Sequence, residues 1–159
     1  LRQGCAEKDY PVPKVLLEPG RSIVANAGLT LYRVGGIKTI EGYRSYVTVN
    51  GGMTDNPRYA LYKAPYTVVP ASRMNDARDL TCTVAGRCCE SGDLIQENIQ
   101  LPEMQRDDLL AVLTTGAYNF TMASNYTRLC RPALVMVRNG KARLAVRRQT
   151  FADLVACDL

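Results

Sequence analysis

The chain has no histidine, no tryptophan and only two phenylalanines among its 159 residues. Without imidazole, histidine-based general-base catalysis and histidine-ligated zinc are excluded within this chain. The six cysteines, at 5, 82, 88, 89, 130 and 157, form no C-x-x-C pair and no zinc spacing. Reduced thiols in the cytoplasm are the simpler reading. No apolar run approaches the ~18 residues of a membrane span, and the N-terminus lacks a signal-peptide pattern. A membrane partner is therefore not expected, and the Asn-x-Thr sequons at 119 and 125 are read as chance. No charge of one sign runs on for long, although the formal net charge is +5. That modest, dispersed positive charge suits an anionic cofactor or substrate. A small basic barrel that binds nucleic acid would need an exposed aromatic-and-basic platform, which this composition does not supply.

What is present is enough for a core. Hydrophobic residues make up 47% and charged residues 22% of the chain, and a chain of this size buries roughly two-thirds of its unfolded surface. Lys14–Leu17, after prolines at 11 and 13, reads as a buried strand ended by Glu18-Pro19-Gly20-Arg21. Ser22–Ala27 reads as a short helix closed by Gly28. From Leu29 the pattern turns to strands: Leu29–Val34, Ile37–Ile40 and Tyr43–Val49, broken by Gly35-Gly36 and Glu41-Gly42. Further strands are expected at Tyr66–Pro70, Leu80–Ala85, Leu94–Ile99 and Leu109–Thr114. Asn139-Gly140 between Ala133–Arg138 and Lys141–Arg148 is a type I′ hairpin signal. In its second strand Arg143, Ala145 and Arg147 alternate with Leu144 and Val146, which predicts one solvated and one core face. Thr150-Phe151-Ala152-Asp153 has capping-box form and opens a helix to about Cys157. The fold expected is mainly β, a barrel or sandwich, with the boundary near Gly28.

Four stretches carry chemistry. The turn Glu18-Pro19-Gly20-Arg21 places backbone N–H groups where an anion can sit. Arg58 and Tyr62, spaced i, i+4 after a glycine-rich exit, can grip a carboxylate with the guanidinium fork and a phenol. Cys88-Cys89-Glu90-Ser91-Gly92-Asp93 is a compact polar loop with a thiol beside a carboxylate. Tyr118, in Thr115-Gly116-Ala117-Tyr118, offers a hydroxyl next to a tight turn. Each stretch alone is more simply surface or core structure; their order and separation together are what count.

Together these stretches resemble the C-terminal part of the diaminopimelate decarboxylases, pyridoxal-phosphate enzymes of the alanine racemase-like (fold type III) class. The resemblance implies that residues 1–28 are the last strand-turn-helix of a cofactor-binding (β/α)8 barrel and residues 29–159 the C-terminal β-domain. It implies decarboxylation of meso-2,6-diaminopimelate to L-lysine and CO2, the last step of lysine biosynthesis. Glu18 would face the pyridine nitrogen, while Gly20, Arg21 and Tyr118 would bind the cofactor. Arg21, Arg58, Tyr62 and Tyr118 would hold the amino-acid substrate, with Glu90 on its far amino group, and Cys89 would be the proton donor. The Cys-Glu loop would reach the site of the other subunit, making a homodimer the functional unit. Cys88 and Arg87 stand where the family often has other residues, a proline among them at the latter. Lysines 8, 14, 38, 63 and 141 lie outside the context of the family's cofactor lysine. The chain begins at Leu1 rather than Met. A missing N-terminal barrel segment, and an inactive isolated chain, are therefore expected. Two alternatives stay open: a non-catalytic binding or regulatory module derived from such an enzyme, and an ornithine- or arginine-type decarboxylase. Glu90 and the Arg58/Tyr62 pair favour diaminopimelate over the latter.

Overall fold

A computed structural model describes residues 1–159. Six strands form one mixed sheet: β1 (Leu29–Ile40), β2 (Arg44–Val49), β3 (Val68–Pro70), β4 (Leu80–Ala85), β5 (Leu94–Leu101) and β6 (Leu109–Leu113). Their order is β3-β6-β1-β2-β4-β5, antiparallel throughout except for the parallel β2–β4 pair. The outer strands curl toward each other, and the Tyr66 N–H before β3 donates to Gln96 Oε1 on β5 at 2.8 Å. The sheet is thus nearly closed, as the expected barrel requires. Tyr32, Val34, Val47, Val49, Val84, Ile95, Leu110 and Val112 fill its centre.

The expected break at Gly35-Gly36 is instead a bulge inside one twelve-residue strand. Val34 pairs with Val49 and Gly36 with Thr48, so one residue is left over. Up to Arg33 β1 pairs with β6; from Val34 onward it pairs with β2, with the bulge just inside that second stretch. The glycines therefore turn a barrel corner rather than end a strand. β5 runs on to Leu101, up to Pro102. Tyr66 is outside β3 because its N–H is spent on Gln96.

The predicted strand at Lys14–Leu17 is absent. That stretch is irregular and exposed, with Leu16 and Leu17 each at 81%. A short apolar run becomes a strand only where a neighbour pairs with it, and none is offered here. A helix not foreseen, α1 (Arg2–Glu7), precedes it. The turn at Gly20 leads into α2 (Arg21–Val24) and a 3₁₀ turn (Ala25–Ala27). Two short helices stand at the mouth of the barrel, α3 (Arg58–Tyr62) and α4 (Asn119–Met122).

β7 (Leu134–Arg138) and β8 (Lys141–Val146) form a separate two-stranded ribbon about Asn139-Gly140, both at positive φ. Its expected core face is not buried, for Leu144 is 57% and Val146 41% exposed. Alternation marks an apolar face but does not supply its cover. The capping box holds in both directions at Thr150 and Asp153, opening α5 (Phe151–Leu154), shorter than the helix predicted to Cys157. No helix is long and apolar enough to cross a membrane.

Candidate active site at the mouth of the barrel

The polar cluster begins with two glycines that let backbones touch. A Cβ at Gly116 would lie 2.1 Å from the Val24 carbonyl oxygen and 2.8 Å from the Gly28 nitrogen. This close approach allows Gly116 N–H to donate to Ala25 O at 2.9 Å and Thr115 N–H to Gly28 O at 3.0 Å. The turn-helix of residues 20–28 is thereby sewn to the end of β6. Arg21 adds a side-chain stitch, donating from Nη2 to Thr114 O at 3.1 Å. Its guanidinium lies 5.8 Å from the Tyr66 ring centroid.

Tyr118 sits in the left-handed region, φ 70°, and caps α4. That unusual backbone turns its side chain to Gly20, where a Cβ would stand 2.1 Å from the Tyr118 hydroxyl. On its other side the Tyr118 ring lies 5.6 Å from the Arg58 guanidinium, which is itself 5.3 Å from the Tyr62 ring. Arg58 is thus flanked by two aromatic faces, a setting that suits a planar guanidinium. Tyr66 closes the ring of contacts through its hydroxyl and Asn119 Oδ1 at 3.3 Å.

The structure therefore brings together Gly20, Arg21, Arg58, Tyr62 and Tyr118, and adds two residues that the sequence did not flag, Tyr66 and Asn119. Their contact joins chain segments 53 residues apart; no local signal marks it. Three buried N–H groups here have no partner: Arg21 Nη1, Arg58 Nε and Asn119 Nδ2. Buried donors without acceptors are costly, so a cluster of them fits an anion as the missing partner. Glu18 is exposed on the turn and makes no side-chain hydrogen bond.

α3 is held from beneath. Tyr59 donates to Glu97 Oε2 at 2.5 Å, and Arg44 donates to Glu97 Oε1 at 2.7 Å. The Tyr59 bond and then Arg44 hold the Glu97 carboxyl below its usual range. Burial and the same bond push the Tyr59 phenol up to about 12. Just before α3, Asp55 accepts from the Tyr32 hydroxyl and from Gly52 N–H. Burial raises its pKa.

The Cys-Glu turn lies between β4 and β5, away from these contacts. Cys89 and Glu90 are exposed, and neither makes a hydrogen bond or ion pair with Arg21, Arg58, Tyr62 or Tyr118 of the same chain. Glu90 Oε1 accepts only from its neighbours Ser91 and Gly92. Cys88 is half-buried against the Thr127 hydroxyl, and burial raises the pKa of its thiol. Of the pair, Cys89 is the accessible thiol.

Residues 21–116 match the family described as pyridoxal-dependent decarboxylase, C-terminal sheet domain. The chain belongs to that family. Among particular relatives, it is 49% identical over 159 residues to the diaminopimelate decarboxylase of Bacillus subtilis, covering 100% of this chain and 36% of the relative. The diaminopimelate decarboxylase of M. jannaschii, solved in complex with L-lysine, superposes with a TM-score of 0.83 at 33% identity, over 99% of this chain and 36% of that one. A lysine/ornithine decarboxylase from Vibrio vulnificus, complexed with cadaverine, gives 0.61 at 28% identity, over 70% of this chain and 30% of that one. The chain thus spans about a third of the length of the proteins it matches. Pyridoxal phosphate is an anion, and the unpaired donors of Arg21, Arg58 and Asn119 are the kind of groups that fit an anionic cofactor or substrate.

Proposed function

We propose that this chain is the substrate-reading part of a pyridoxal-phosphate-dependent diaminopimelate decarboxylase, acting with a (β/α)8 barrel that carries the cofactor lysine. On this reading residues 1–28 belong with the barrel and 29–159 form the sheet domain. The observation that carries it is the pair of guanidiniums, Arg21 and Arg58, each with a buried N–H left unpaired. Unpaired guanidinium donors beside aromatic rings suit a carboxylate far better than an amine. A substrate with a second carboxylate at its far end is thereby favoured over ornithine. The greater extent of the match to the diaminopimelate enzymes supports the same choice.

Pyridoxal phosphate, when bound, supplies a ring that can take up the electron pair left when CO2 departs. Gly20, Arg21 and Tyr118 would hold it on the sheet-domain side, with Glu18 keeping the ring nitrogen protonated. Arg58 and Tyr62, with Arg21, would orient the distal carboxylate, so that the carboxylate to be lost is the one at the reacting end. Glu90 would pair with the distal ammonium. Cys89 would hand a proton from its thiol to the carbon that has lost CO2. Cys89 and Glu90 are exposed and make no hydrogen bond or ion pair with the Arg58 cluster of their own chain; they would serve the site of a second subunit, making the active unit a homodimer. Six unbridged cysteines fit a cytoplasmic setting.

The test is a chimera in which this chain replaces the matching third of the Bacillus subtilis relative. CO2 release from meso-2,6-diaminopimelate should stay within tenfold of the parent. A folded, cofactor-loaded chimera that releases none would overturn the proposal.

A further inference from the structure

We propose that Asp93 is the positioning residue of the Cys-Glu turn, its carboxylate fixing where Cys89 and Glu90 are presented. The proposal rests on the roles given above to Cys89 and Glu90. Asp93 is 3% exposed and pairs with no Arg or Lys side chain. Its oxygens accept from two separate loops instead. Oδ1 takes the Met53 N–H at 2.6 Å, and Oδ2 takes the Cys88 N–H at 2.7 Å. The backbone agrees: Gly86 N–H donates to Asp93 O at 2.8 Å, Asp93 N–H to Glu90 O at 3.0 Å, and Arg87 N–H to Gly51 O at 3.0 Å.

The slot is shaped for this one side chain. A Cβ at Gly52 would lie 2.4 Å from the carboxylate, and one at Gly86 would lie 2.2 Å from it. Only residues without a Cβ leave room for both loops to close on Asp93. The loop on the Met53 side leads directly into α3 and Arg58. One buried carboxylate therefore ties the thiol turn to the segment that carries the carboxylate grip. Glutamate would be too long for the slot. Asparagine would turn its NH2 against one of the two N–H donors, so that one bond becomes a donor facing a donor.

The consequence can be read without any activity. In the full chain carrying Asp93→Asn, alkylation by iodoacetamide, resolved by cysteine with mass spectrometry, should speed up at least tenfold at Cys88. Cys82, buried at 2% in β4, should stay protected, and exposed Cys157 should keep its rate. Cys88 reacting at the parental rate would overturn the proposal. So would Cys88 and Cys82 rising together, which would make Asp93 a general stabiliser of the fold. Should the variant not fold, amide exchange in the parent chain decides. Met53 and Cys88 amides should exchange at least a hundredfold more slowly than that of Ser91, and equal rates would refute the clamp. A neutral Cys89→Ala in the chimera would instead sink the reading of the thiol, leaving the clamp untouched.

Discussion

Replacing Gly116 by alanine should release residues 20–28 from the sheet. The new methyl carbon would sit 2.1 Å from Val24 O, 2.8 Å from Gly28 N and 3.0 Å from Ala25 O. All three are backbone atoms, so no side chain can swing away to make room. Relief requires the turn-helix to move by about an ångström or more, roughly the gap to an ordinary ~3.5 Å carbon contact. At risk are the Gly116–Ala25 and Thr115–Gly28 bonds and the Arg21–Thr114 bond. With about 1 kcal/mol for each neutral bond and about 1.5–3 for the charged one, full release costs about 3.5–5 kcal/mol. Partial relaxation would leave about 2–3 kcal/mol of loss. Trypsin cutting at Arg21, if it follows the open population, should then accelerate about 30- to 150-fold. Cutting at Lys14, already in an exposed irregular stretch, is the internal reference and should not change. Gly4→Ala is the control, because nothing lies within 4 Å of its Cβ. A Gly116→Ala chain cut at Arg21 no faster than the parent would refute the claim that this glycine contact docks the turn.

Three further outcomes follow from the same geometry. In the chimera Cys89→Ala should slow turnover by roughly two to four orders of magnitude while Cys88→Ala stays near parental, as CO2 release would report; the reverse ranking would move the proton donor to Cys88. Asp55, with its pKa raised by burial, should make the fold lose stability as pH climbs from the ordinary carboxylate value of about 3.9 through the folded value. Urea midpoints of Asp55→Asn should lack that decline. Glu97 has the opposite sign: its pKa is lowered, so its contribution is present above about pH 4.3 and fades as pH falls through the folded value. Midpoints of Glu97→Gln should be flatter than the parent on the acid side, and unchanged slopes would remove Glu97 as the prop beneath α3.

Local chemistry made parts of this chain legible. Asn139-Gly140 announces its hairpin because both residues tolerate the positive φ that the turn demands. Thr150 and Asp153 announce a helix start because each satisfies the other's backbone. Leu80–Ala85 is a strand as read, flanked by polar turns. Lys14–Leu17 misled because a short apolar run carries no information about its pairing partner. Leu144 and Val146 misled for the same reason, since their alternation says nothing about cover. Gly35-Gly36 looked like an ending, yet a glycine pair serves a bulge equally well. At the site, Arg21, Arg58, Tyr62 and Tyr118 were singled out only through the family resemblance, and the fold brings them together. Tyr66, Asn119 and Asp93 were not marked, because their roles arise only when distant segments meet.

Arg58 is the proposed reader of the substrate's distal carboxylate. In the chimera, Arg58→Lys keeps the charge but loses the planar fork between Tyr62 and Tyr118. The most direct measurement is kcat/KM of parent and variant on meso-diaminopimelate and on D-lysine, which keeps the carboxylate at the reacting end and lacks the distal one. Diaminopimelate should lose about 1.5–3 kcal/mol, or ~10- to 150-fold, while the slow turnover of D-lysine stays the same. An unchanged kcat/KM on diaminopimelate, or an equal loss on both substrates, would contradict the assignment.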